Sequence, residues 1–255
     1  VLVNPYPSAL LRVLKLGFLA YPLLVWALWN WSPLGFWGSA FLALLVELLP
    51  ILGLAQLPLA NDEDEIPLVP VYLSSAAMIL ALGWGAVVIG VRELGREAMG
   101  LDPGTLGSTL AWGAGLMAAI HLLQGAFFVG RRRLGIRESR ILSGILPRTP
   151  GEKGLFVLLS LAAGVGEELA FRAFALPALI LVTGSVSGSV VLSSAAFGLL
   201  HGYQGWMGIL RTGLMGLLLA VTFVLTGDLW PLVIAHAGLD LVSGLILGDK
   251  LLKER

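Results

Sequence analysis

The 255-residue chain contains no cysteine, which excludes disulfide frameworks, thiolate catalysis, iron–sulfur clusters and cysteine-ligated zinc. It is short of charge as well. Asp, Glu, Lys and Arg together make up 13% of the residues, against about 25% in water-soluble domains. Sixteen acidic residues balance sixteen basic ones, so no net charge draws the chain toward nucleic acid. Histidine occurs three times, and any imidazole chemistry must rest on those three. What fills the space is apolar: 57% of the residues, with a mean hydropathy of +0.91. A soluble fold of this length could not hide that much apolar surface from water, so the solvent for most of it is lipid. The apolar runs are continuous and do not alternate at period two, which implies helices and excludes a barrel.

About 20 apolar residues are needed to cross ~30 Å of hydrocarbon. On that measure eight spans are expected, near 14–31, 34–60, 68–90, 110–129, 154–182, 186–201, 207–226 and 229–248. A re-entrant segment around Glu167 would reduce the count to seven. With the N-terminus inside, thirteen of the sixteen Lys and Arg face the cytoplasm, among them Arg131, Arg132, Arg133, Arg148, Lys153 and Arg211. Only Arg92 and Arg96 fall outside, so the expected topology is N-in/C-in. The first span is not expected to be a cleaved leader, because Trp26, Trp29 and Trp31 occupy its end. The basic loop 131–153 divides a polar-poor four-span half, 1–130, from a second half, 154–255, that carries the reactive residues. Close glycines such as Gly83 and Gly85, or Gly213 and Gly216, are expected to mark tight helix packing.

Ionisable side chains at bilayer depth cost ~2.5–3.5 kcal/mol on insertion scales, which makes each of them a functional candidate. Here they are Glu47, His121, Glu167, Glu168, Arg172, His201, His236 and Asp240. Six of the eight lie in the second half, at helical spacings. Glu168 and Arg172 are four apart and can pair on one helix face. Glu167 points about 100° away and is left available to accept a proton. Phe197 and His201 stack one turn apart, a spacing that on its own fits a helix-to-helix hydrogen bond. His236 and Asp240 face one cavity, as an orienting pair, a metal site or part of a proton path. Glu47, followed by Pro50, and His121, close to Gln124, fit packing roles better than chemistry. The acidic run 62–65 reads as a solvated turn.

Taken in order, Glu167-Glu168-x-x-x-Arg172, Phe197-x-x-x-His201 and His236-x-x-x-Asp240 resemble the motifs of the CAAX-protease and bacteriocin-processing (Abi) family of intramembrane proteases, which includes the type II CAAX prenyl endopeptidases. The resemblance covers roughly residues 154–248, and one position departs from it: Asp240 stands where many relatives carry Asn. The resemblance implies that Glu167 and His201 activate a water, and that His236 and residue 240 stabilise the tetrahedral oxyanion. Glu168, Arg172 and Phe197 would support them. An ionised Asp cannot donate a hydrogen bond, so Asp240 would have to be protonated, orient His236, or bind a metal.

The expected protein is an all-α, polytopic transmembrane bundle that hydrolyses a hydrophobic or lipidated peptide in the bilayer, in a bacterial plasma membrane, with no cofactor. Relatives link this chemistry to prenylated CAAX substrates, peptide maturation or bacteriocin immunity. One alternative is a zinc-dependent version of the same hydrolysis, with Glu167, His201, His236 and Asp240 as ligands. Another is a non-catalytic scaffold or transporter in which the buried acids relay protons. Other intramembrane proteases fit less well. There is no His-Glu-x-x-His, Leu225 precedes Gly227-Asp228 where an aspartyl type needs Gly, and no Gly-x-Ser faces a histidine.

Overall fold

The structure is a computed structural model and describes residues 8–58, 66–136 and 139–248. The acidic run 62–65 and the basic residues Arg137, Lys250, Lys253 and Arg255 lie outside the described residues. Those described form helices and connections, with no strand among them.

In chain order the helices are α1 (Ser8–Trp31), α2 (Phe36–Ala55), α3 (Leu68–Glu93), α4 (Leu106–Arg133), the short α5 (Arg140–Gly144), α6 (Pro150–Thr183), α7 (Val186–Leu200), α8 (Gly205–Thr226) and α9 (Trp230–Leu247). Seven of them are long and apolar enough to cross a membrane, and the protein is an integral, multi-pass helical bundle. The expected sixth span is the one that falls short. Helix α7 has 15 residues, about 22 Å at 1.5 Å per residue, against ~30 Å of hydrocarbon. The segment around Glu167 is not re-entrant. It lies inside the longest helix, α6, whose 34 residues extend about 51 Å.

Local chemistry sets the ends of these helices. Thr149 opens α6 with a reciprocal cap: its hydroxyl accepts from the Glu152 N–H, and the Glu152 carboxylate accepts from the N–H groups of Thr149 and Arg148. Gly184, with φ 68°, closes it in the left-handed conformation that glycine adopts without strain. The Ser185 hydroxyl caps α7 through the Gly188 N–H at 3.1 Å.

At that end of the bundle two carboxylates hold backbone. Glu93 accepts from the N–H groups of Gly35 and Gly38 at the start of α2, each at 2.9 Å. Asp228 accepts from Gly104 N–H, Thr109 O–H and Trp230 N–H. It is thus a loop clamp. At the opposite end the buried Tyr72 hydroxyl donates to the Ile145 carbonyl at 2.5 Å. Helix α5 there lies against the 3₁₀ turn Gly202–Gln204.

Helix α6 is the centre of the bundle. Half of its most apolar stretch is buried, against 11% for α1 and 17% for α4. Ala170, Phe171, Phe174 and Ala175 pack with Leu42 and Leu45 of α2, Ala86 of α3 and Phe197 of α7. On the other side Ala173 and Leu176 join Leu219 and Phe223 of α8 and Leu232 and Leu239 of α9. Two contacts bring backbones together just before Glu167. A methyl placed on Gly83 of α3 would stand 2.7 Å from the Gly166 Cα, and one on Gly164 would stand 2.7 Å from the Ala237 Cβ of α9. Gly83 does mark close packing, as the sequence leads one to expect.

These approaches make a prediction. Gly166→Ala drives a methyl into the Ile79 carbonyl and should cost ~1–3 kcal/mol, seen as a lower thermal midpoint in detergent. Gly115→Ala on α4, where nothing lies within 4 Å, should leave the midpoint unchanged or slightly raised.

Candidate active site

Three helices deliver the polar residues to one place. The last turn of α6 before it widens presents Glu167 and Glu168; the next seven residues, Leu169–Ala175, form a π-turn that contains Arg172. His201 sits at the C-terminus of α7, and His236 and Asp240 lie one turn apart on α9. Glu167 is 17 positions beyond Pro150, about 25 Å along α6. The short α7 stops within reach of that level. One overlong helix beside one short one thus brings Glu167 and His201 to the same level, 4.0 Å apart.

The innermost contacts are ionic. Arg172 Nη1 donates to Glu168 Oε1 at 2.9 Å, with both side chains buried. Its Nη2 reaches the Gly216 carbonyl of α8 at 3.3 Å, and its guanidinium lies over the Phe197 ring, 4.3 Å from the centroid. The spacing of Glu168 and Arg172 anticipates their pairing. It does not anticipate the third member: His236 Nδ1 stands 2.7 Å from the same Glu168 Oε1. Glu168, not Asp240, therefore orients the His236 ring. With the carboxylate as acceptor, Nδ1 carries the proton and Nε2 faces the cavity.

A similar argument fixes His201. Its Nδ1 lies 2.8 Å from the Phe197 carbonyl, which can only accept. The proton is on Nδ1, and the lone pair of the neutral ring is on Nε2. Phe197 packs between the two imidazoles, 4.8 Å from His201 and 6.1 Å from His236 between ring centroids.

Both Nε2 atoms converge on Glu167. Its Oε2 is 4.0 Å from His201 Nε2 and 3.9 Å from His236 Nε2, and it is a buried oxygen with no hydrogen-bond partner. Asp240 Oδ2 is 3.9 Å from His236 Nε2. The Asp240 side chain is 35% exposed where that of His236 is 5% exposed, so Asp240 forms the rim and Glu167 the floor. Atoms that each lie ~2.8 Å from one water oxygen, at about a right angle, are ~4.0 Å apart. The spacing is that of groups sharing a water. A tetrahedral zinc with ligands at ~2.0–2.2 Å would hold its ligand atoms about 3.3–3.6 Å apart, and no group of three or more His, Asp or Glu among the described residues is gathered closely enough for a metal.

The remaining candidates stay outside the cluster. Glu47 lies in a second π-turn, Leu44–Leu48, within α2. His121 places Nδ1 2.8 Å from the Met117 carbonyl of its own helix, as a packing histidine does. Sequence reasoning overlooks Tyr203, whose ring lies 5.9 Å from that of His201; the only signal available was its place two residues after the motif histidine.

Residues 150–242 match the family model described as type II CAAX prenyl endopeptidase Rce1-like. The matched stretch contains all three motifs, bears out the resemblance they carry, and indicates a protease. No curated protein and no solved structure gives a significant match.

The two glutamates should behave differently on substitution. Arg172→Ala leaves Glu168 buried without its cation and should cost ~3–5 kcal/mol, measured as a large fall in the thermal midpoint. Glu167→Gln, at a carboxylate whose Oε2 has no hydrogen-bond partner, should change the midpoint little.

Proposed function

We propose that this chain is an intramembrane endopeptidase that hydrolyses a hydrophobic or membrane-tethered peptide with a water activated by Glu167 and His201. The observation that carries the reading is the convergence of Glu167 Oε2 with two inward-facing imidazole nitrogens at 3.9–4.0 Å, in a setting otherwise closed to water.

A carboxylate with no hydrogen-bond partner is a ready proton acceptor. Glu167 takes a proton from the bound water while the His201 Nε2 lone pair holds its other hydrogen. The water oxygen bonds to the peptide carbonyl carbon, and the carbonyl electron pair moves onto its oxygen. His236, as the imidazolium with one N–H given to Glu168 through Nδ1, donates its Nε2–H to that oxygen. The proton on Glu167 then passes to the amide nitrogen, the C–N bond breaks, and the amine leaves. Asp240, at the rim beside His236, contributes a polar lining where the peptide enters. Glu168 and Arg172 hold the histidine and do not meet the substrate.

The basic loop and α5 lie at the same end as the turn carrying His201, which supports access from the cytoplasmic leaflet. A lipidated C-terminal peptide suits such a site, as does a hydrophobic precursor peptide. Purified protein in liposomes, given a library of hydrophobic and prenylated peptides, should release fragments. Glu167→Gln should reduce kcat by roughly 10²–10⁴ at an unchanged thermal midpoint, and cleavage should survive exhaustive chelation. Loss of cleavage on chelation, restored by zinc, would replace this mechanism with the metal-dependent one. Full activity in Glu167→Gln would reject both.

A further inference from the structure

The tetrahedral intermediate of such a hydrolysis needs hydrogen-bond donors aimed at its oxyanion, and the cluster is short of them. Glu167, Glu168 and Asp240 as carboxylates only accept. The Nδ1–H of His201 is committed to the Phe197 carbonyl. Arg172 is committed to Glu168, the Gly216 carbonyl and the face of Phe197. His236, as the imidazolium whose Nδ1–H goes to Glu168, supplies one donor at Nε2.

Tyr203 supplies another. It sits in the 3₁₀ turn Gly202–Gln204, directly after His201, with the two rings 5.9 Å apart and inclined at 38°. Its hydroxyl accepts a hydrogen bond from Gln204 Nε2 at 3.0 Å, and Gln204 Oε1 in turn accepts from Arg211 Nη2 of α8 at 2.9 Å. That chain fills a lone pair of the phenol and leaves its proton to point elsewhere; no described residue is seen to accept it. The phenol stands beside the His201 ring, whose Nε2 is 4.0 Å from Glu167 Oε2, so Tyr203 borders the cavity that Glu167 closes. The turn itself is clamped. Gly202 lies against the Gly53 carbonyl of α2, too close for any side chain, so Tyr203 is displayed by a rigid backbone.

Building on the hydrolase reading, we propose that Tyr203 is a further catalytic residue. Its O–H, oriented by Gln204 and Arg211, donates a hydrogen bond into the Glu167–His236 cavity, to the oxygen that becomes negative as water adds. It transfers no proton. Gln204 and Arg211 are positioning residues.

The chain has four tyrosines, so uniform 3-fluorotyrosine labelling of the full protein gives four ¹⁹F lines, and the one lost in Tyr203→Phe identifies residue 203. That line should move in both Glu167→Gln and Asp240→Asn, whether or not a cleavable peptide is in hand. In the peptide assay Tyr203→Phe should lower kcat roughly 10²-fold with KM within about twofold. Gln204→Ala should give a smaller fall in kcat, again at constant KM, and should shift the same line. A line that stays in place in both carboxylate variants overturns the inference regardless of activity. So does a wild-type kcat in Tyr203→Phe under conditions where Glu167→Gln is inactive, and that result leaves the hydrolase reading standing. Absence of cleavage by the wild-type protein, or cleavage by Glu167→Gln at the wild-type rate, would remove the hydrolase reading and this inference with it.

Discussion

A guanidinium with almost no water around it has to be offset by groups fixed in place, and that requirement organises the second half of this protein. Arg172 and Glu168 are 1% and 0% exposed. Each buried ion carries a desolvation penalty of several kcal/mol that only good geometry and further hydrogen bonds repay. The geometry here is distributed over four helices. Glu168 and Arg172 come from α6, the Gly216 carbonyl from α8, the Phe197 ring from α7 and the His236 imidazole from α9. One ion pair thereby fixes the relative positions of the elements that carry the reactive atoms. The second oxygen of Glu168 has no partner, so the pair is not a fully satisfied network. Its contribution is better described as orientation than as stability.

The adjacent carboxylate has the opposite setting. One residue along a helix is a rotation of about 100°, and that rotation separates an acid held by a cation from an acid facing two imidazoles. The same dipeptide therefore supplies one anion held by a cation and, in the proposed hydrolysis, the proton acceptor. The π-turn that begins at Leu169 widens the helix immediately after them, in keeping with the frequent occurrence of π-bulges at functional sites. It keeps Arg172 level with Glu168 while the chain continues into the tightly packed 173–179 stretch.

Much of this was legible in the chain itself. The intramembrane charges could be enumerated because lipid makes each one expensive, and the i, i+4 spacings of Glu168 with Arg172 and of His236 with Asp240 placed them on shared faces. Helix count and positions followed from the apolar runs. Contacts between helices were not legible. The bond from His236 to Glu168 spans 68 positions in sequence, and nothing at either residue announces the other. The spacing of His236 and Asp240 offers the aspartate as an orienting partner, yet the carboxylate at hydrogen-bond distance comes from a different helix, and Asp240 stands 3.9 Å off at the rim. Helix length was equally opaque around residues 184–201. An apolar run ending in a histidine looks like a span, and only its packing shows that it stops at the level of the cluster.

The division of the chain by its basic loop also acquires a physical meaning from the packing. None of the clustered residues comes from before residue 150, but their positions depend on what comes before it. Helix α3 lies against α6 through the Gly83–Gly166 contact, one residue from Glu167, and α2 meets the turn after His201 through Gly53 and Gly202. Both contacts are backbone to backbone, so they tolerate almost no displacement. The hydrolysis proposed for these atoms, 3.9–4.0 Å apart, needs that stiffness, since a shift of 1 Å in a reactive group can cost 10²-fold in rate. Among the described residues, the early helices place no side chain in the cluster. They act as the rigid wall against which α6 and the α7–α8 turn are pressed, and so hold Glu167 and His201 within 4.0 Å of each other.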